Sequence, residues 1–183
     1  MKKKIFISII DNIKTLLGAL LIAIIIRSLL FQPFYIPSSS MEPTLLVGDR
    51  IFVSKYTYGY SKHSFPFSPN FSNTRFFQKT PIVGDLVVFK TPTDNRTDYI
   101  KRLIGLPGDQ IQFIDTNLYV NKSEIIKSRI SKNDKIFCGK KTISVDTFEE
   151  VLPNGKKYIS VYLKDYSFKN SDPFEVPEDH YFF

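Results

Sequence analysis

From Leu16 to Ile26 the chain reads LLGALLIAIII, an uncharged run close to the N-terminus. No other feature constrains the fold as much. A helix needs about 20 mostly apolar residues to cross the hydrocarbon core of a bilayer. The stretch from Ile9 to Leu30 meets that length if Asp11 and Lys14 lie at one interface and Arg27 extends its charged tip to the other. Met1 is followed by Lys2, Lys3 and Lys4, which by the positive-inside rule keeps the N-terminus in the cytoplasm and the rest of the chain outside it. The reading is a single-pass protein of a plasma membrane. Residues 1–31 form the cytoplasmic N-terminus and anchor, with a span of about 9–30, and residues 32–183 form an extracytoplasmic domain. The same charged-then-apolar order also begins a cleaved secretory leader, and Ser38, Ser39 and Ser40 offer small residues for a cut. The apolar part would be long for a leader, and Pro33, Phe34 and Tyr35 crowd the approach, so the uncleaved anchor is favoured.

Charge agrees with a membrane setting. The net charge is +7, and residues 1–31 hold five basic residues and one acid, leaving +3 for everything after the anchor. That remainder has no run of Lys or Arg and no nucleic-acid motif, so no nucleic-acid partner is expected. A basic β domain that binds anionic lipid is the weaker reading that the +3 still permits. Cys138 is the only cysteine and His63 and His180 the only histidines. An intrachain disulfide and a Cys/His zinc site are thereby excluded, and no metal or organic cofactor is indicated.

Past Pro33 the texture changes to short runs of Ile, Val, Phe and Tyr punctuated by Gly, Pro, Asn and Asp. Such punctuation predicts strands at 50–55, 85–90 and 99–104, a hairpin from 110–114 to 117–121, and a further strand at 156–163. No segment beyond the anchor has helical periodicity. The extramembrane part is therefore expected to be mainly antiparallel β. Two segments stand apart. Residues 61–79 are rich in Phe, Ser and Pro, and their phenylalanines are expected to pack under a loop, with lipid contact as the alternative. Residues 124–150 are polar and lysine-rich, with room for a small β subdomain.

Ser38 to Ser40 taken alone would be a linker or a helix cap, Lys101 alone a solvated strand residue, and Gly105 to Asp109 alone a turn. Their conjunction changes the reading. Ile36-Pro-Ser-Ser-Ser-Met-Glu-Pro-Thr-Leu45 follows the anchor, and Tyr99-Ile-Lys-Arg-Leu-Ile-Gly-Leu-Pro-Gly-Asp109 follows later. Between them stand Gly48-Asp-Arg-Ile-Phe-Val-Ser-Lys55 and Gly84-Asp-Leu-Val-Val-Phe-Lys90. In kind and in order these segments resemble the sequence boxes of bacterial type I signal peptidases.

The resemblance implies an antiparallel β-sheet catalytic domain of the signal-peptidase type behind one transmembrane helix. It implies a membrane-bound serine endopeptidase that removes N-terminal signal peptides from secreted preproteins after small-X-small sites. Ser40 would be the nucleophile and Lys101 the general base, with the Ser40 N–H and the Ser38 hydroxyl as the oxyanion hole. Phe34, Ile36, Met41, Tyr99 and Ile100 match positions that line the substrate pockets. The partners would be preprotein signal peptides and membrane lipid. A departure qualifies this. Members of the family carry a further box, of the form GDNRxxSxDSR, after a stretch similar to Val176 to Phe183, and here the sequence stops at Phe183. A C-terminally shortened chain is therefore expected, with a non-catalytic signal-peptide binder as the alternative outcome.

Overall fold

The computed structural model describes residues 2–65, 68–69, 74–138, 141–163 and 170–183. The chain divides into two compact units, residues 1–34 with 51–80, and residues 35–50 with 81–183. The predicted class holds: one N-terminal apolar helix is followed by a mainly β chain with antiparallel sheets.

The smaller unit begins with α1, Lys2–Leu29. Leu, Ile and Ala dominate it, and Pro33 comes only after its end, so nothing interrupts the i to i−4 ladder. Apolar side chains surround the helix rather than forming one stripe; Leu16 and Leu21 are 69% and 59% exposed. A helix apolar all round, and uncovered, suits lipid and not a water-facing groove. Phe6–Leu29 is long and apolar enough to cross a membrane. Two short strands follow, β1 (Phe31–Tyr35) and β2 (Arg50–Ser54), and they pair. The Lys55 N–H donates to the Leu30 carbonyl, and the Tyr60 hydroxyl to the Leu29 carbonyl, which ties the ribbon to the helix end. β1 was not expected, because Pro33 at its centre argues against a strand; as one of only two strands it has an edge where the missing N–H costs nothing. In the 61–79 segment the expected packing fails for two phenylalanines. Phe77 is 83% and Phe76 46% exposed, while Phe67 and Phe71 lie outside the described residues.

The larger unit contains β3 (Leu86–Lys90), β4 (Asp98–Arg102), β5 (Gln110–Ile114), β6 (Asn117–Val120), β7 (Ser123–Glu124), β8 (Ile126–Cys138), β9 (Lys141–Val151), β10 (Lys157–Leu163) and β11 (Phe174–Glu175). β3 and β4 form a hairpin, β5 and β6 lie inside the order β11-β5-β6-β7, and β9 is the centre of β10-β9-β8. The polar 124–150 segment is thus a long pair of strands joined to β10. Its β-branched alternation, Thr142-Ile-Ser-Val-Asp-Thr147, is the strand signal within a lysine-rich composition. The predicted strand at 99–104 is shorter at its end. Leu103 and Ile104 leave β4 and are buried, and the Ile104 N–H donates to the Phe182 carbonyl.

One turn recurs and starts three strands. In Leu46-Val-Gly-Asp49, Ile82-Val-Gly-Asp85 and Leu106-Pro-Gly-Asp109 the aspartate N–H donates to the first residue's carbonyl, closing a four-residue turn. Each aspartate Oδ2 in turn accepts from the first residue's N–H, at 2.8, 3.2 and 2.7 Å. The third position needs positive φ, and Gly48, Gly84 and Gly108 have φ of +102°, +93° and +83°, which glycine adopts without a Cβ clash. The core of this unit gathers Ile104, Ile111, Leu118, Val120, Ile125, Leu152 and Val176, with Phe182 packed against it. Leu152 is 2% exposed. Leu152→Ala should therefore cost about 2–5 kcal/mol through lost burial and the cavity left behind. A lowered guanidinium unfolding midpoint would register it, and an unchanged midpoint would remove Leu152 from the core.

Candidate active site

The segment that carries Ser40 is a closed loop. The Ile36 N–H donates to the Asp49 carbonyl and the Gly48 N–H to the Ile36 carbonyl, both at 3.0 Å, so the loop is cinched where the Gly48-Asp49 turn returns it. Ile36, 2% exposed, fixes the base, and the Met41 side chain, 9% exposed, fixes the middle. Ser39–Met41 forms one turn of 3-10 helix, closed by the Glu42 N–H on the Ser39 carbonyl. Ser40 therefore rides on a turn whose following residue is buried, while its own side chain faces out. At the start of such a turn the amide N–H groups have no intrahelical acceptor, and the Ser40 N–H donates to no described residue.

The opposing group comes from the β3–β4 hairpin. Val87 is paired with Lys101, Val88 with Ile100 and Phe89 with Tyr99. The intervening turn is held by Asp94, which accepts hydrogen bonds from the hydroxyls of Thr91 and Thr97 and the N–H groups of Arg96 and Thr97. Those donors hold its carboxyl far below the usual carboxylate range. Strand alternation turns Tyr99 and Lys101 to one face and Ile100 and Arg102 to the other.

The two segments meet. Lys101 Nζ lies 2.5 Å from Ser40 Oγ, across 61 residues of sequence, and Ser38 Oγ is 3.5 Å from Ser40 Oγ. Burial lowers the Lys101 pKa from its ordinary value of 10.5, because a desolvated ammonium loses hydration that an amine does not need. The Tyr99 ring centroid is 5.9 Å from Nζ, at the edge of useful cation–π distance, so this contact does little to restore the charged form.

Of the predicted site residues, Ser38, Ser40 and Lys101 come together directly, and Met41 is buried next in sequence to Ser40. Ile36 stands at the loop base, and Tyr99, 49% exposed, shares the Lys101 face. Ile100 points to the other face of β4. Phe34 belongs to β1 in the smaller unit and is half-buried. Among the described residues no three His, Cys, Asp or Glu side chains are grouped so as to hold a metal ion.

Three residues were missed: Arg102, Tyr158 and Glu150. Arg102 donates to the Thr44 hydroxyl at 3.3 Å and the Gly84 carbonyl at 2.9 Å, linking the Ser40 loop to the β3 turn. Its guanidinium also lies 4.6 Å from the Tyr158 ring centroid. The Tyr158 hydroxyl donates to Glu150, which is 2% exposed and also accepts from Ser160 and Tyr162 at 2.7 and 2.6 Å. The buried carboxylate is thus satisfied by three hydroxyls, and burial and that carboxylate push both tyrosine pKa values up. The signal for Arg102 was its place next to Lys101, since alternation forces the neighbour into the body of the domain.

Residues 9–183 match the family described as signal peptidase, peptidase S26. The chain is 43% identical over 174 residues to Signal peptidase I of Rickettsia conorii (strain ATCC VR-613 / Malish 7), covering 88% of this chain and 63% of that protein. The values for Signal peptidase I of Rickettsia typhi (strain ATCC VR-144 / Wilmington) are 42% over 172 residues, with the same two coverages. For that of Rickettsia bellii (strain OSU 85-389) they are 41% over 181 residues, covering 93% and 61%. The chain belongs to the signal peptidase S26 family. It spans a little under two thirds of the length of these curated relatives, 63% in the first.

The lowered pKa of Lys101 has a consequence for stability. Between its folded and unfolded pKa values the unfolded chain binds more protons, so stability rises with pH through that window. Lys101→Met should be more stable than the wild type at neutral pH, with the gap closing as pH approaches 10.5. Guanidinium midpoints at the two pH values measure this, and a gap that widens with pH would contradict the burial of the amine.

Proposed function

We propose that this chain is a membrane-bound serine endopeptidase that cleaves N-terminal signal peptides from secreted preproteins after small-X-small sites, with Ser40 as nucleophile and Lys101 as base. The observation that carries it is the 2.5 Å approach of Lys101 Nζ to Ser40 Oγ. A serine hydroxyl attacks only when a base takes its proton, and a lysine does so only when its neutral form is populated.

In the first step Lys101 takes the Ser40 proton as Oγ attacks the scissile carbonyl. The Ser40 N–H, which has no acceptor within the described residues, and the Ser38 hydroxyl stabilise the resulting oxyanion. The Lys101 ammonium then returns the proton to the leaving amine, and an acyl-enzyme ester remains on Ser40. A water, deprotonated by the same amine, hydrolyses that ester and regenerates Ser40. The preprotein would bind in extended form, since among the described residues β4 pairs only with β3 and has an edge to offer an added strand. Met41, Tyr99 and Ile36 are the residues we assign to pockets that accept small side chains. α1 would be the single membrane span, with the N-terminus cytoplasmic. Ser40 is only eleven residues beyond Leu29, so the chain can carry it no more than about 40 Å from the helix end. That tether confines the search for substrate to the membrane surface.

Cleavage of a purified preprotein in detergent micelles tests the proposal. Ser40→Ala and Lys101→Ala should each reduce turnover by at least about 1,000-fold, and Ser38→Ala by roughly 100- to 1,000-fold. The kcat/KM of the wild type should rise with pH through the lowered pKa of Lys101. Full cleavage by Ser40→Ala would refute the mechanism, whereas peptide binding without turnover by the wild type would identify a non-catalytic binder. Arg102 acts on the dyad through position. Arg102→Ala should lower kcat about tenfold with little change in KM, and Arg102→Lys should recover part of it. An equal loss in both variants, accompanied by a lower unfolding midpoint, would mark the residue as merely structural.

A further inference from the structure

The smaller unit contains an apolar groove of about 660 Å³ that the peptidase reading does not use. Ala23, Ile26 and Arg27 of α1 line it with Phe31 and Pro33 of β1 and Phe52 of β2. Phe52 is 76% exposed, a large cost in water and none in lipid. Arg27 is the one charged residue in the lining, and it makes no hydrogen bond or ion pair to a described residue. It stands two residues before the helix end at Leu29, a rise of about 3 Å. Ala23 is about 6 Å farther along the axis. If α1 spans the membrane, the groove starts at headgroup depth and descends along the outermost acyl carbons.

Arg27 is exposed, so its apolar stem lines the groove while its charged tip stands at the rim, and at headgroup depth a guanidinium without a protein anion draws an anion to it. Its planar donor fork matches phosphate oxygens. A water-soluble anion would leave the apolar walls bare, and the apolar part of a signal peptide would leave the guanidinium unpaired. A molecule with a phosphate and an acyl chain satisfies both, and one whose headgroup has no cation of its own leaves the phosphate charge unopposed for the guanidinium. We propose that this groove is a binding site for one anionic phospholipid, with its phosphate on Arg27 and its acyl chain against Ile26, Phe31, Pro33 and Phe52. The proposal rests on reading α1 as a membrane span, and it does not depend on the peptidase activity.

The test uses the full chain in vesicles of equal parts phosphatidylglycerol and phosphatidylcholine, followed by mild detergent extraction and native mass spectrometry. The wild type should retain one phosphatidylglycerol in about tenfold preference to phosphatidylcholine, the size of effect expected for a charge-assisted hydrogen bond. Arg27→Gln should abolish that preference, and Phe52→Ala should reduce retention of either lipid. Retention of phosphatidylglycerol by Arg27→Gln at the wild-type level would overturn the site. So would crosslinking of a signal peptide, and not a tail-labelled phospholipid, to a photoreactive residue at position 52. Alkaline carbonate extraction of the same vesicles separates the two readings. A chain that washes off refutes the span and the groove together, and a chain that stays but retains no lipid refutes the groove alone.

Discussion

The larger unit is organised around one unfavourable placement, an amine withdrawn from water beside a serine hydroxyl. Desolvation lowers the Lys101 pKa, and only a rigid surround can keep a long, flexible side chain in such a position. The β3–β4 pairing holds the backbone of Lys101 against Val87, Asp94 locks the turn between the strands, and the face on which Lys101 lies follows from the pleat. The Ser40 loop meets it from the other side, cinched at Ile36 and anchored at Met41. Each contact is ordinary; their joint effect is to fix two side chains within hydrogen-bond reach.

Arg102 makes that arrangement cooperative. Lys101 and Arg102 are adjacent basic residues on opposite faces of one strand. Burial lowers the pKa of both, but a guanidinium stays charged where an amine need not. Arg102 holds the Ser40 loop at Thr44, the β3 turn at Gly84 and the ring of Tyr158. Through Tyr158 the contact reaches Glu150, a buried acid stabilised by three hydroxyls and not by a direct ion pair. A displacement of β10 would thus be felt next to Ser40 and Lys101.

The fold could be read from the sequence where local chemistry dictates local form. The long N-terminal helix was legible because its apolar character is continuous. The Gly-Asp turns were legible because positive φ demands glycine, and the aspartate folds back on the residue three before it. The core strands 110–114 and 117–120 were legible from short apolar runs between turn residues. β1 was hidden by Pro33, whose penalty vanishes at a strand edge, and β8 and β9 by a composition in which charges mask the alternation. The packing expected of Phe76 and Phe77 failed because composition reports that a residue is apolar, not what covers it.

The site divides in the same way. The residue types and their order along the chain, Ser38, Ser40 and Lys101 in segments resembling those of signal peptidases, were determined by the sequence alone. So were the extended character of the Lys101 segment and the turn that carries Ser40 back. Only the tertiary structure decided that a lysine and a serine 61 residues apart come within 2.5 Å, that the amine is partly desolvated there, and that Arg102 secures the loop. Proximity and dielectric environment are properties of what packs around a group, and residues distant along the chain supply that packing.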